Sequence, residues 1–395
     1  MPRRTIGLLV TGALALALAA CAQPAEVSTE PPHGWAAAAP AEPVDPVVEY
    51  AEARLADMSV RERAASVLLI HVPGTDPATL RDRVASSGVA GVILMGDNTA
   101  DSVATTRALT AGLATDSGLP PLSAIDQEGG IVARLPDPGP SARALAGLPV
   151  DDTRTAFADR ARLVADAGVD INFGIVADVT GDPTSFLAPR VFGGDTDAVS
   201  ARVAAAVEGE QGIVLSTLKH FPGHGGAPGD SHRLIPQSAM SLAKWRTDEA
   251  PPFEAGIAAG AELVMMGHLR YTAVDDAPAS LSPAWYGILR DELEFEGVAV
   301  TDDLSMLQAS GESDLVDPVS NGVTALEAGA DLLLYVGPID TGAFAARVAQ
   351  EVERGSLPLS RLDDAALRVL ELRRAESASD APYVRCRDVC ALAAS

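Results

Sequence analysis

A (β/α)8 barrel of the TIM type, a single domain of the α/β class, is the fold this sequence predicts. Eight short apolar runs recur along the chain, each followed by a loop with Gly or Asp and then an amphipathic stretch rich in Ala, Arg and Glu. The runs are almost wholly apolar rather than alternating, the pattern of parallel strands buried on both faces. Ionisable residues crowd the carboxyl ends of the runs, whereas their amino ends, as at Gly88 and Gly329, carry mainly turn residues. Barrel proteins hold their chemistry at that carboxyl end. A doubly wound open sheet is the alternative architecture.

The elements follow in order. Arg3 and Arg4 precede an apolar run over 6–20, closed by Leu18-Ala19-Ala20-Cys21. This reads as an export signal over 1–20, too short and too abruptly ended for a spanning helix. Its ending resembles a bacterial lipobox, which implies that Cys21 is acylated and holds the chain on the outer face of the cell membrane. A secretory peptide with an incidental cysteine is the plainer alternative, and Arg3-Arg4 also permits a twin-arginine route. Residues 21–46, rich in Pro, Ala and Glu and without a helical or alternating period, read as an extended tether.

Ser59-Val60-Arg61-Glu62 has the form of a capping box opening a helix. The apolar runs lie at 67–72, 89–95, 122–125, 169–176, 213–218, 263–266, 298–300 and 332–336. A last helix begins near Ser360, with Asp363 three residues on, and runs through Arg374, so that one domain spans 47–375. In the tail, 376–395, Cys386 and Cys390 stand close enough in sequence for a small disulfide in an exported protein, or remain two thiols.

Composition narrows the partners. The chain has 395 residues, enough to bury a large core without metals or disulfides. Its 29 basic and 54 acidic residues give a formal net charge of −25. That balance argues against a nucleic-acid partner, because phosphate backbones need clustered Lys and Arg. Lys219 and Lys244 are the only lysines, so each invites a reason.

The strand ends carry the chemistry. The third run ends in Asp126-Gln127-Glu128-Gly129-Gly130, with Arg134 shortly after; the fourth reaches Asp178, with Arg190 in the loop beyond. The sixth ends near His268. Densest is the fifth, where Lys219-His220-Phe221-Pro222-Gly223-His224-Gly225 precedes Asp230-Ser231-His232 and holds three of the six histidines. Glycines 223, 225, 226 and 229 suggest a mobile loop that can approach a ligand. Asp230 can orient the His232 ring and raise its basicity, leaving the other nitrogen to move a proton. A zinc site from His220, His224 and His232 is a rival reading, although no rigid helix presents those ligands. A solvated loop is the bland one. At the seventh run, Thr301-Asp302-Asp303-Leu304-Ser305-Met306 places a carboxylate at the strand end as a candidate nucleophile. Successive strand residues face opposite ways; Asp303 therefore suits an N-cap and Asp302 the site.

These motifs closely resemble the bacterial β-N-acetylglucosaminidases of glycoside hydrolase family 3. The resemblance covers nearly all of 47–375 and rests on the run from Lys219 to His232 and on Thr301–Met306. Asp126–Gly130, Asn172-Phe173, Asp178, the Met58-Ser59 opening and the ending over 359–370 add to it. It implies Asp302 as nucleophile, His232 as acid/base with Asp230 behind it, and Asp126, Arg134, Arg190, Lys219 and His220 as sugar contacts. Four positions depart from the family pattern: Ile131 replaces an Arg, Gly226-Ala227 replaces Asp-Thr, and Ile175 replaces a Pro.

The activity so implied is a retaining exo-β-N-acetylglucosaminidase acting on peptidoglycan fragments, a monomer without cofactor or metal. Within the fold, a β-glucosidase, a β-xylosidase or an N-acetylglucosaminide phosphorylase are the alternatives. From other classes come a non-catalytic wall-glycan-binding lipoprotein and a zinc-dependent deacetylase.

Overall fold

The computed structural model describes residues 45–384, except 100, 101, 114, 115, 117 and 378. The export signal, Cys21, all but the end of the tether, and Cys386 and Cys390 lie outside the described residues. Eight strands line the barrel: β1 (Leu68–His71), β2 (Gly91–Leu94), β3 (Leu122–Ile125), β4 (Ile171–Val176), β5 (Leu215–Phe221), β6 (Leu263–Met266), β7 (Val298–Thr301) and β8 (Leu333–Tyr335). From β1 to β7 each strand pairs in parallel with the next, and β8 pairs with β1. The β7–β8 seam closes through a Val300–Leu332 bridge and the Leu304 N–H to Leu334 C=O bond of 3.0 Å. A barrel, rather than an open sheet, is therefore the architecture. Buried Asp331 braces the seam: its carboxylate accepts from Ala299 N–H at 3.0 Å and Arg361 at 2.8 Å, and also pairs with Arg290.

Strand parity divides the core into two layers. Leu122, Ala124, Ile171, Phe173, Leu215, Leu263, Met265, Val298, Val300, Leu332 and Leu334 fill the barrel interior as one cluster. Their neighbours Ile125, Val264, Met266, Ala299 and Leu333 point outward into the layer covered by the helices. This division fixes which residues beyond the strand ends turn into the mouth.

The first helix, Pro46–Asp57, is one the sequence does not announce, because it continues the composition of the tether. Its start is nevertheless conventional: Asp45 accepts from Val47 N–H at 2.8 Å, and Pro46 occupies a position where a missing N–H costs nothing. Tyr50 packs beneath the last helix, Leu359–Ala375, with the Arg374 guanidinium 4.1 Å from its ring centroid. Tyr383, from the tail, covers Tyr50 edge-on at 5.4 Å. The Ser59–Glu62 capping box is complete, with reciprocal bonds of 3.3 and 2.7 Å. Among the described residues no helix is long and apolar enough to cross a membrane.

Candidate active site

The parity of β3, β5 and β7 carries Ala124 to Asp126, Leu215 to Lys219, and Val300 to Asp302, all onto the inward side. Asp126 and Lys219 meet there at 3.0 Å, and Lys219 also contacts Glu128 at 2.7 Å. Arg134 reaches the other Asp126 oxygen at 3.1 Å. Arg190, from the loop after β4, clamps Glu128 with two bonds of 2.8 and 2.6 Å. The result is a connected group of two carboxylates and three cations, with Lys219 and Glu128 almost wholly buried. Burial alone would raise both carboxyls. Lys219 and Arg134 hold Asp126 below its usual value, and Lys219 and Arg190 do the same for Glu128. Burial works against the Lys219 ammonium, but Glu128 and Asp126 outweigh it and raise its pKa. Asp126, Glu128 and Lys219 are therefore charged at neutral pH. They form a pre-organised array of donors and acceptors for the polar groups of a ligand.

A second cluster adjoins it. Asp178, fully buried at the end of β4, accepts the His220 Nδ1–H at 2.7 Å and the His224 backbone N–H at 2.6 Å. Its carboxyl is lowered despite burial, chiefly by His220. The bond to Asp178 fixes the His220 tautomer and leaves Nε2 for a ligand. The Lys219–His220 and Phe221–Pro222 peptide bonds are cis. His224 is buried, with its pKa lowered by that burial, and its two ring nitrogens have no partner among the described residues.

Asp302 faces both clusters. One carboxylate oxygen accepts the Asp303 N–H at 2.8 Å; among the described residues the other accepts no hydrogen bond. Burial would push its carboxyl up, but His220, His268, the Asp303 N–H and Lys219 pull it below the usual value. Asp302 is thus an ionised carboxylate with one uncommitted oxygen, the state a nucleophile needs. Asp303 faces the other way and accepts from Ser305 N–H and Val336 N–H, both at 2.9 Å, stapling the β7 loop to the β8 loop. Buried His268 donates Nε2–H to the Asp303 carbonyl at 2.8 Å and meets Ser280 at 2.7 Å through Nδ1.

Asp230 and His232 lie apart from these clusters. His232 Nδ1 donates to Asp230 at 2.7 Å, and the side chain is 61% exposed. Asp230 is lowered: burial opposes, but His232 prevails. The loop that bears them is not uniformly free, however. A side chain at Gly223 would strike the Glu249 carboxyl, and one at Gly225 would meet Val179 O at 1.8 Å. Trp245 Nε1–H and Tyr271 O–H donate to the Pro222 and Gly223 carbonyls, each at 2.6 Å. Three of the four glycines therefore serve close packing at the loop's root, and only the tip around Gly229–Leu234 is largely exposed. Gly226 has the same origin: a side chain there would collide with Glu249, Met240 and Tyr271. Ile131 stands 69% exposed at the turn after Gly130.

Glu128, Asp178, His268 and Glu249 are the residues sequence reasoning left without a role. For Glu128, Asp178 and His268 a signal existed, a polar residue at a strand end. Glu249 lies in a helix boundary far along the chain, and nothing in its neighbours marks it. Among the described residues no group of three His, Cys, Asp or Glu is arranged to hold a metal ion, and the two nearest histidines to such a site are committed to Asp178 and to packing.

With this geometry in place, the comparisons are specific. The Glycosyl hydrolase family 3 N terminal domain matches residues 59–372. The chain belongs to glycosyl hydrolase family 3. It is 36% identical over 285 residues to a beta-hexosaminidase of Stenotrophomonas maltophilia, spanning 69% of this chain and 84% of that protein. The beta-hexosaminidase LpqI of Mycobacterium tuberculosis is 33% identical over 329 residues, 80% of this chain and 83% of the relative. The solved structure of M. tuberculosis LpqI superposes with a TM-score of 0.74 at 31% identity, covering 82% of this chain and 96% of that one. A family 3 beta-N-acetylglucosaminidase from Paenibacillus sp. FPU-7 gives the same TM-score and identity over 84% of this chain and 65% of its own. The inward-facing Asp126, Lys219 and Asp302 lie at the carboxyl end of the strands, the face at which barrel enzymes hold their chemistry.

Proposed function

We propose that this chain is a retaining exo-β-N-acetylglucosaminidase that removes terminal β-linked N-acetylglucosamine from peptidoglycan fragments. The observation that carries the reading is Asp302: an ionised, inward carboxylate with one uncommitted oxygen, beside a charged array that can grip sugar hydroxyls. The similarity to proteins named beta-hexosaminidase and beta-N-acetylglucosaminidase supports the sugar class.

In the first step an Asp302 oxygen bonds to the anomeric carbon as the glycosidic C–O bond breaks, and His232 Nε2–H delivers its proton to the leaving oxygen. In the second, His232 takes a proton from water, whose oxygen attacks the same carbon and displaces Asp302. Two inversions return the β-anomer. Most retaining glycosidases use two carboxylates; here a His–Asp pair supplies the proton, with Asp230 stabilising the imidazolium. We place the enzyme on the outer face of the cell membrane, held by a lipid on Cys21. Its acidic surface would repel anionic wall polymers, which favours small soluble muropeptides.

The test is a comparison of matched aryl glycosides of N-acetylglucosamine, glucose and xylose, with products identified in phosphate buffer. Strong preference for the N-acetylglucosaminide and release of free β-N-acetylglucosamine are expected. Preference for glucoside or xyloside, or a sugar 1-phosphate product, overturns the assignment. Release of the protein from membranes by Cys21→Ser tests the anchor.

A further inference from the structure

His232 is the most exposed member of the proposed machinery, and among the described residues one aromatic ring meets its imidazole. That side chain is Phe186, in the loop after β4, whose ring meets the His232 imidazole edge-on at 6.2 Å and 90°. Phe186 is held from the other side. The buried His224 ring lies 4.9 Å away at 67°, and the Arg190 guanidinium sits 5.9 Å from the Phe186 centroid. Val176, Leu187 and Val191 form the apolar cluster against which Phe186 packs. His224 in turn meets His220 at 6.0 Å and 79°. The four rings thus make one continuous row, from His220 beside Asp302 out to the exposed loop tip.

Two properties of the row bear on function. Its inner end is fixed, because Asp178 holds both His220 and the His224 backbone, and His224 has no competing polar partner among the described residues. Its outer end is held by the Phe186 contact and by two hydrogen bonds to Asp230 within the same loop tip. Phe186 is therefore the ring that links the exposed His232 to the fixed end of the row. Arg190, which flanks Phe186, also clamps Glu128 in the sugar-binding array. The same loop after β4 thus touches both the sugar-binding charges and the acid/base histidine.

We propose that Phe186 is a positioning residue that seats the His232 imidazole over the catalytic face. This rests on the acid/base role of His232 stated above. An edge-on ring pair shifts an equilibrium by about two- to tenfold, which sets the scale of the effect. The readout is the dependence of kcat/KM on leaving group, because kcat/KM reports the step in which the leaving oxygen is protonated. A substrate with a poor leaving group, such as the N-acetylglucosamine disaccharide, needs the proton; the 2,4-dinitrophenyl glycoside does not.

His232→Ala is measured first and is expected to lose kcat/KM on the disaccharide far more than on the dinitrophenyl glycoside. If it does not, the acid/base reading itself fails. Given that result, Phe186→Ala is expected to lose about two- to tenfold on the disaccharide and almost nothing on the dinitrophenyl glycoside. Phe186→Leu, which fills the space without a ring edge, should behave the same way and guards against simple misfolding. Combined with His232→Ala, either change should add no further loss. An equal loss on both substrates, no loss on either, or full additivity with His232→Ala overturns the proposal.

Discussion

Two parts of the catalytic face are built on opposite principles. Asp126, Glu128, Lys219 and Arg190 are buried or half-buried charges at the ends of strands or clamped to them, the first three each held by two partners and Arg190 by two bonds to Glu128. Asp230 and His232 stand at an exposed loop tip, where the His232 ring and backbone N–H both donate to Asp230 and one ring contact touches the imidazole. Sugar recognition needs fixed geometry, because a misplaced donor loses its hydrogen bond. Proton transfer in a two-step reaction needs a group that serves first a leaving oxygen and then a water. On the proposed roles, rigidity and exposure are apportioned by task, and Asp302 belongs to the rigid part.

The contrast can be broken at several points, beginning with the rigid side. Replacing Asp302 with Ala removes the proposed nucleophile, and turnover should fall on the order of 10⁴-fold or more while the melting temperature changes little. Steady-state kinetics and thermal melting of the same preparation check both halves of that statement. At the mobile side, His232→Ala should cost about 10²- to 10⁴-fold on substrates with poor leaving groups. Because the loop tip is exposed, its stability should match the parent within error.

Lys219→Met should separate the two regions differently, through stability. It strands Asp126 and Glu128 without their shared cation, and breaking a buried pair in this way costs about 3–5 kcal/mol. Both carboxyls have lowered folded pKa values, so their stabilising contribution is present above the usual carboxylate range and is lost as pH falls. In Lys219→Met that dependence should weaken or reverse, giving a smaller deficit at pH 4 than at pH 7. Melting curves across that range report it.

The smallest effect belongs to Glu249, beneath the loop root. Burial pushes its carboxyl up to about 8, and one of its oxygens has no partner among the described residues. A raised folded pKa means the folded state favours the protonated acid. Its contribution is therefore complete below about pH 4.5 and is lost as pH rises through about 8. Glu249→Gln should leave stability at pH 5 unchanged and raise the melting temperature by a few degrees at pH 9.

How far these features are legible in the sequence follows from their range. The strands are visible because a run of Val, Leu and Ile is a local signal, and strand parity then carries Asp302 inward and Asp303 outward. The network around Lys219 is less visible: Glu128 and Arg190 pair across 62 positions, and no local pattern couples them. The glycines after Phe221 mislead when read for mobility, since most of them make room for Glu249, Val179 and Tyr271. The first helix hides in the composition of the segment before it, and only its Asp45 cap distinguishes it. Asp178 is visible as a strand-end carboxylate, yet its bonds to His220 and to the His224 backbone depend on how β4 and β5 align.

The central claim is that Asp302 forms a glycosyl bond during turnover. Incubation with a 5-fluoro glycosyl fluoride of N-acetylglucosamine slows the second step, and peptide mass spectrometry then locates any adduct. A single N-acetyl-5-fluoroglucosaminyl group on Asp302, absent from Asp302→Asn, is the predicted result. Turnover of the reagent with no adduct, or an adduct on another residue, would contradict the account.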